Sequence, residues 1–212
     1  MRSLSIALLS CLWAQGFETS FYIGPQVTAL LTKSGQAYDL RWRGIGFLGG
    51  VSETFWFADR WGASLEAQYS WSQFDRGSGN SGEVKRFVTS LKLPVLVRYR
   101  VPLSEKIWLS MGAGAHASLI LSAEEDIRMQ SSTGQDTTYT TDLFDKVQAG
   151  AEAHRRGVVG LAFSAGLQTR RFGISIWHDT ILGSVNDPRR GSRRWYNSTA
   201  LRVSYTVLTS EN

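Results

Sequence analysis

The sequence predicts an all-β fold, an eight-stranded antiparallel up-and-down barrel, on three observations. From residue 17 onward, eight segments of about 10 to 15 residues alternate apolar with small or polar positions. The links between them are long and short in strict alternation, which places the two ends of the barrel in different surroundings. No window approaches the ~18 consecutive apolar residues that a membrane-spanning helix requires, so strands must do any spanning.

The segments run over 17–31, 44–57, 61–74, 87–100, 107–121, 158–169, 172–183 and 195–208. The long, polar links are 32–43, 75–86, 122–157 and 184–194; the tight ones are Ala58-Asp59-Arg60, 101–106 and Arg170-Arg171. In the third segment Trp61, Ala63, Leu65, Ala67, Tyr69 and Trp71 point one way and Gly62, Ser64, Glu66, Gln68, Ser70 and Ser72 the other. The fifth opposes Leu109, Met111, Ala115 and Leu119 to Ser110, Gly112, His116 and Ser118, and the eighth opposes Leu201, Val203 and Tyr205 to Ser198, Arg202 and Ser204. The second segment, GIGFLGGVSETFWF, does not sort into two faces. Pro94, mid-segment and without an N–H, should mark a bulge or bend.

Composition narrows the class further. The 212 residues are 42% hydrophobic, 12% aromatic and 19% charged, with one Cys, which rules out both a disordered chain and a disulfide scaffold. The net charge of +5 is too mild to imply nucleic acid. Met1-Arg2, an apolar stretch over 3–13, and Ala14-Gln15-Gly16 read as a cleaved export signal, giving residues 1–16 as leader and 17–212 as one barrel domain. The competing reading is a lipoprotein box, Leu8-Leu9-Ser10-Cys11, acylated at Cys11. Cleavage after Gly16 leaves no cysteine, and the acidic residues show no ligand spacing, so neither metal nor cofactor is expected.

Alternation alone fits a soluble cup with an apolar interior as well as a membrane barrel with an apolar exterior. The leader, the segment lengths and aromatics at segment ends favour the membrane. Phe55, Trp56, Phe57 and Trp61 flank one tight link, Tyr99 and Trp108 the next, and Trp195 and Tyr196 open the last segment, as an aromatic girdle would.

Gly49-Gly50, Glu66, Tyr69-Ser70 and the run Leu93-Pro94-Val95-Leu96-Val97-Arg98-Tyr99 lie within FLGGVSETFWFADRWGASLEAQYSWSQ and LKLPVLVRYRVPLSEKIWLSMGAGA. This stretch, about residues 44–120, resembles the porin-family or PorT-like outer-membrane β-barrels of Bacteroidota. The resemblance implies an outer-membrane barrel and says little about activity. The polar tail 209–212 departs from the pattern of a chain that ends on an aromatic.

With the polar faces inward, Glu66, Lys92, Arg98, His116 and Arg202 fall inside a lumen barely wide enough for its own side chains. Charges there must pair or be hydrated, so a network around Glu66 with Lys92 or Arg98 is expected to plug the barrel. His116 and Ser118 share a face, as the nucleophile and base of outer-membrane lipid A deacylases do. That face is lumenal and no acidic residue follows convincingly, so no catalytic residue is assigned. Arg189, Arg190, Arg193 and Arg194, crowded into the last long link, would meet lipopolysaccharide phosphates. In the link 122–157, Thr137–Thr141 should lengthen a hairpin and 142–153 form a short helix.

The expected function is therefore a non-enzymatic outer-membrane protein, structural or binding through its outer loops. A component or docking partner of a type IX-like secretion system is the alternative the resemblance offers, and a lipid A-modifying enzyme using His116 and Ser118 is the further one. Expected partners are outer-membrane lipid and lipopolysaccharide, with secretion proteins under the alternative and no nucleic acid.

Overall fold

A computed structural model describes residues 16–34, 37–78, 82–130, 136–144, 156–185 and 193–210. Its strands are β1 (Phe17–Ser34), β2 (Ala37–Trp56), β3 (Trp61–Ser78), β4 (Gly82–Ser104), β5 (Ile107–Gln130), β6 (Asp136–Asp142), β7 (Gly157–Gln168), β8 (Phe172–Ile181) and β9 (Arg193–Ser210). All pairings are antiparallel, in the order β4-β3-β2-β1-β9-β8-β7-β5-β6, and β4 also pairs with β5. Eight strands therefore close into a ring, and β6 is an extra strand hung on the outer half of β5. Closure leaves no ladder edge within the ring, the condition for placing strands in lipid.

The side-chain period of two decides what faces where. Phe21, Ile23 and Val27 of β1, Leu65 of β3, Leu93, Val95 and Val97 of β4, Phe163 and Leu167 of β7, Ile174 and Ile176 of β8, and Leu201 and Val203 of β9 are all exposed. The residues alternating with them, among them Gln26, Glu66, Gln68, Lys92, His116, Asp179 and Arg202, are buried inside. An apolar exterior around a polar, charged interior is the membrane arrangement, and the soluble cup is excluded.

β2 sorts as well: Leu48, Ser52, Thr54 and Trp56 are buried inward while Ile45 and Phe47 face out. Its hydropathy is uninformative because two of its inward side chains are large and apolar and four of its residues, Gly44, Gly46, Gly49 and Gly50, have no side chain at all. Pro94 makes no bulge. The β4–β5 register passes through Pro94↔His116 unshifted, and the shifts fall at Thr89/Ser90 and Pro102/Ser104 instead. What the missing N–H does is interrupt the β3–β4 ladder between Leu65↔Val95 and Gln68↔Lys92 without changing its register.

Two of the links expected to be long and polar, 32–43 and 75–86, are largely strand. β1 and β2 stay paired out to Ser34↔Ala37, and β3 and β4 out to Ser78↔Gly82. Polar residues form these extensions because ladder hydrogen bonds need no apolar face once the strand has left the bilayer. β6 supplies the expected hairpin over 137–141; the helix expected over 142–153 lies mostly outside the described residues, and Asp142 ends β6. The outer rim is lopsided, since β4 and β5 have 23 and 24 residues against 12 and 10 in β7 and β8.

The candidate functional site, a double ionic plug

Even-numbered positions of β3, β4 and β9 converge on the lower half of the lumen. Glu66 of β3, fully buried, accepts from Arg98 Nη2 of β4 at 2.5 Å through Oε1 and from Arg202 Nη1 of β9 at 3.0 Å through Oε2. Arg98 continues to Ser64 Oγ (3.0 Å) and Ser164 Oγ (3.1 Å), so it ties β3, β4 and β7 together. Arg202 also donates to Gln68 Oε1, and its guanidinium lies between two rings, 3.5 Å from the centroid of Trp177 and 4.1 Å from that of Tyr22. Ring faces partly replace the water such a cation loses on burial.

A second layer lies nearer the outer end. Lys92 Nζ donates to both carboxylate oxygens of Asp179, at 2.9 and 2.8 Å, and Asp179 also accepts from Trp177 Nε1 (2.9 Å) and Ser198 Oγ (2.8 Å). Trp177 thus joins the layers, its face on Arg202 and its N–H on Asp179. Lys92 is not a partner of Glu66: the network expected around Glu66 takes Arg98 and Arg202, and Lys92 belongs to Asp179. Asp179 and Trp177 escaped the sequence reading. The signal that could have found them is the parity of Ser175, Trp177 and Asp179 against Ile174 and Ile176.

Beyond these layers the outer end is capped by a cluster of buried apolar side chains, Leu30, Phe74, Val88, Ile120, Leu143, Val158, Ile181, Val185 and Tyr196 among them. Arg86 meets Glu125 at 2.6 Å beside it, a pair formed by the strand extensions. At the tight-turn end, periplasmic in barrels of this kind, Arg100 stacks on Trp56 at 4.1 Å and reaches Glu18 at 3.6 Å, and Gln168 donates to Glu18 at 3.2 Å.

His116 and Ser118 are both buried in the lumen. Gly160 faces the imidazole so closely that a Cβ there would sit 2.3 Å from Nε2. A lipid arriving from the bilayer meets the other face of β5, so this geometry offers no nucleophile to a membrane substrate. Among the described residues no group of His, Cys, Asp and Glu could hold a metal.

The end-of-strand aromatics divide. Trp61 and Phe57 are exposed, Trp61 packs on Tyr99 at 4.6 Å, and Phe55 and Trp195 lie half-buried on outward positions. Trp56 and Tyr196 are lumenal, not part of an outer girdle, because consecutive aromatics on a strand must alternate faces; Trp108 also falls on the inward phase, with Ser110 and His116. On the outside the sequence reading missed a ridge of Phe47, Trp71 and Phe87 with centroids 5.8 and 6.4 Å apart, and the Phe172–Tyr205 pair at 5.1 Å. Of the four outer arginines, Arg193 and Arg194 begin β9 opposite Lys33 and Thr32, while Arg189 and Arg190 lie outside the described residues, as do Cys11 and residues 1–15.

The model for the outer membrane protein β-barrel domain family fits residues 13–185. The chain belongs to that family. It is an outer-membrane β-barrel protein. Among solved structures, OprG of Pseudomonas aeruginosa is 17% identical over 92% of this chain and 96% of its own, with a TM-score of 0.51, which shows a shared fold. Ail of Yersinia pestis is 18% identical over 90% of this chain and 99% of its own, with a TM-score of 0.40, and the neisserial surface protein A 12% identical over 87% and 96%, with 0.38. No curated protein matches the sequence.

Proposed function

We propose that this chain is a closed, non-enzymatic barrel that serves as a membrane anchor for its outer rim, where it contacts lipopolysaccharide or a comparable polyanion. The observation that carries the reading is the filled lumen: two ionic layers bridged by Trp177, under an apolar cap. A barrel of eight strands has room for little else, and a path for ions would require both charge layers to part. The part of the molecule left to meet a partner is the rim that the strand extensions raise above the bilayer.

Arg189, Arg190, Arg193 and Arg194 supply the anion chemistry, guanidinium forks suited to phosphate oxygens. The reading includes a cleaved export leader at residues 1–16 and, on the Leu93–Tyr99 run, a likeness to PorT-like barrels. Planar-bilayer recordings test the plug: purified protein should show no steady conductance on the nanosiemens scale, and a stable open channel would refute it. Changing all four arginines to serine should weaken retention on lipopolysaccharide vesicles about tenfold while leaving insertion into phosphatidylcholine unchanged. Equal retention would remove the rim reading.

A further inference from the structure

The lipid face of the barrel is uneven where β5, β7 and β8 reach the periplasmic end. Trp108 pairs with Gln168, and Gln168 with Gly173, so the tight turn into β5 and the tight turn between β7 and β8 lie side by side. Beside them Ile107, Leu167, Phe172, Ile174, Ile176 and Leu201 wall a groove of about 530 Å³. Its floor is low because Ala165, between Phe163 and Leu167 on the outward phase of β7, carries only a methyl group, and Gly166 and Gly173 carry no side chain. Of the lining residues only Thr169 and Ser175 have a polar side-chain atom, so the groove suits hydrocarbon.

The two turns bring charge to one end of this groove. They hold three cations, Lys106, Arg170 and Arg171, against one carboxylate, Glu105, and all four residues are exposed. Lys106 directly precedes Ile107, and Arg170 and Arg171 stand between Thr169 and Phe172, so the cations are attached to the groove's own lining. The turn between β7 and β8 is held in place: Thr169 N–H donates to the Phe172 carbonyl, and the Arg171 carbonyl accepts from Thr206 N–H, both at 2.7 Å. The carboxylate at the mouth, Glu18, is engaged by Arg100 and Gln168. Phe172 packs on Tyr205 at 5.1 Å, and exposed aromatics at a strand end lie at the depth of the lipid headgroups. A net positive turn at that depth, beside an apolar groove, complements an amphiphile with a phosphate on acyl chains.

We propose that the groove and its two turns form a binding site for one anionic diacyl phospholipid of the periplasmic leaflet. An acyl chain lies between Leu167, Ile174 and Ile176, and the phosphate meets Lys106, Arg170 and Arg171. The excess of cations over carboxylates selects phosphatidylglycerol over zwitterionic phosphatidylethanolamine, whose ammonium group these turns repel. The site lies at the opposite end of the barrel from the rim contact proposed above and does not depend on it.

The test is native mass spectrometry of the full chain, released from non-ionic detergent supplied with equal amounts of phosphatidylglycerol and phosphatidylethanolamine, with folding verified by electrophoretic mobility. Wild-type protein should retain one phosphatidylglycerol, at least about fivefold over phosphatidylethanolamine. Changing Lys106, Arg170 and Arg171 together to serine should bring that ratio to about one, since all three lie on exposed turns outside the plug. Ala165→Leu, which fills the groove and leaves the charges, should reduce retention of both lipids about threefold without changing their ratio. Lys85→Ser at the outer end should change neither. Equal retention of the two lipids by the wild type, a preference that survives loss of the three cations, or retention indifferent to Ala165→Leu would each overturn the site. Displacement of phosphatidylglycerol by an equal amount of lipid A would overturn it as well, by assigning the groove to the lipid of the other leaflet.

Discussion

Glu66 shows how much one residue can hold in a lumen of this width. Its two carboxylate oxygens take one arginine each, from β4 and from β9, so it fastens the ring across its diameter. Glu66→Gln keeps the shape and removes the charge, leaving two buried guanidiniums without a counter-ion. Breaking a buried pair in this way costs about 3–5 kcal/mol, and urea unfolding in phospholipid vesicles, followed by tryptophan fluorescence, should show a loss of that size. Ser118→Ala, which removes a lumenal hydroxyl and no charge, should cost less than about 1 kcal/mol in the same assay. Glu66, Arg98 and Arg202 were legible in the sequence because their segments alternate cleanly. Asp179 was not, because its pairing with Lys92 joins strands 87 residues apart, and no local pattern encodes which lumenal charge meets which.

At the scale of the element, the strands are specified by their lipid faces. Val95 is exposed between Leu65 of β3 and Ala115 of β5, and an arginine on the lipid face costs about 2–4 kcal/mol near the bilayer midplane. Val95→Arg should therefore lower folded-barrel stability by that amount, whereas a serine at the rim residue Thr138 should have no measurable effect on unfolding. Close approach sets a different limit on β7. A valine at Gly160 would place its Cβ 2.3 Å from His116 Nε2 and 2.2 Å from the backbone oxygen of Thr180. Gly160→Val should slow or abolish folding, read as the unboiled, fast-migrating fraction after refolding, and Gly160→Val with His116→Ala should recover only part of it, because the Thr180 carbonyl cannot move aside. The polar strand extensions were missed for a plain reason: above the bilayer both faces meet water, and the apolar alternation that marks a strand disappears while its ladder continues.

For the whole molecule, closure is the property from which the rest follows. A ring with no free ladder edge opens only by breaking an entire interstrand ladder, so the protein should resist SDS at room temperature and migrate faster unboiled than boiled. A single mobility at both temperatures would be incompatible with the closed ring. What the amino-acid sequence determined by itself was the eight strands of the ring, the tight links between them, the class of fold and the inward phase of Glu66, Lys92, Arg98 and Arg202, since each is written in a period of two or in a local turn. The tertiary structure alone decided which face was outside on β2, that Trp56 and Tyr196 turn inward, that Lys92 pairs with Asp179, and that Glu66 is shared by two arginines. The reason is physical: alternation is a property of neighbours along the chain, whereas pairing in a lumen depends on the stagger of strands around the ring, and that stagger exists only once the ring has closed.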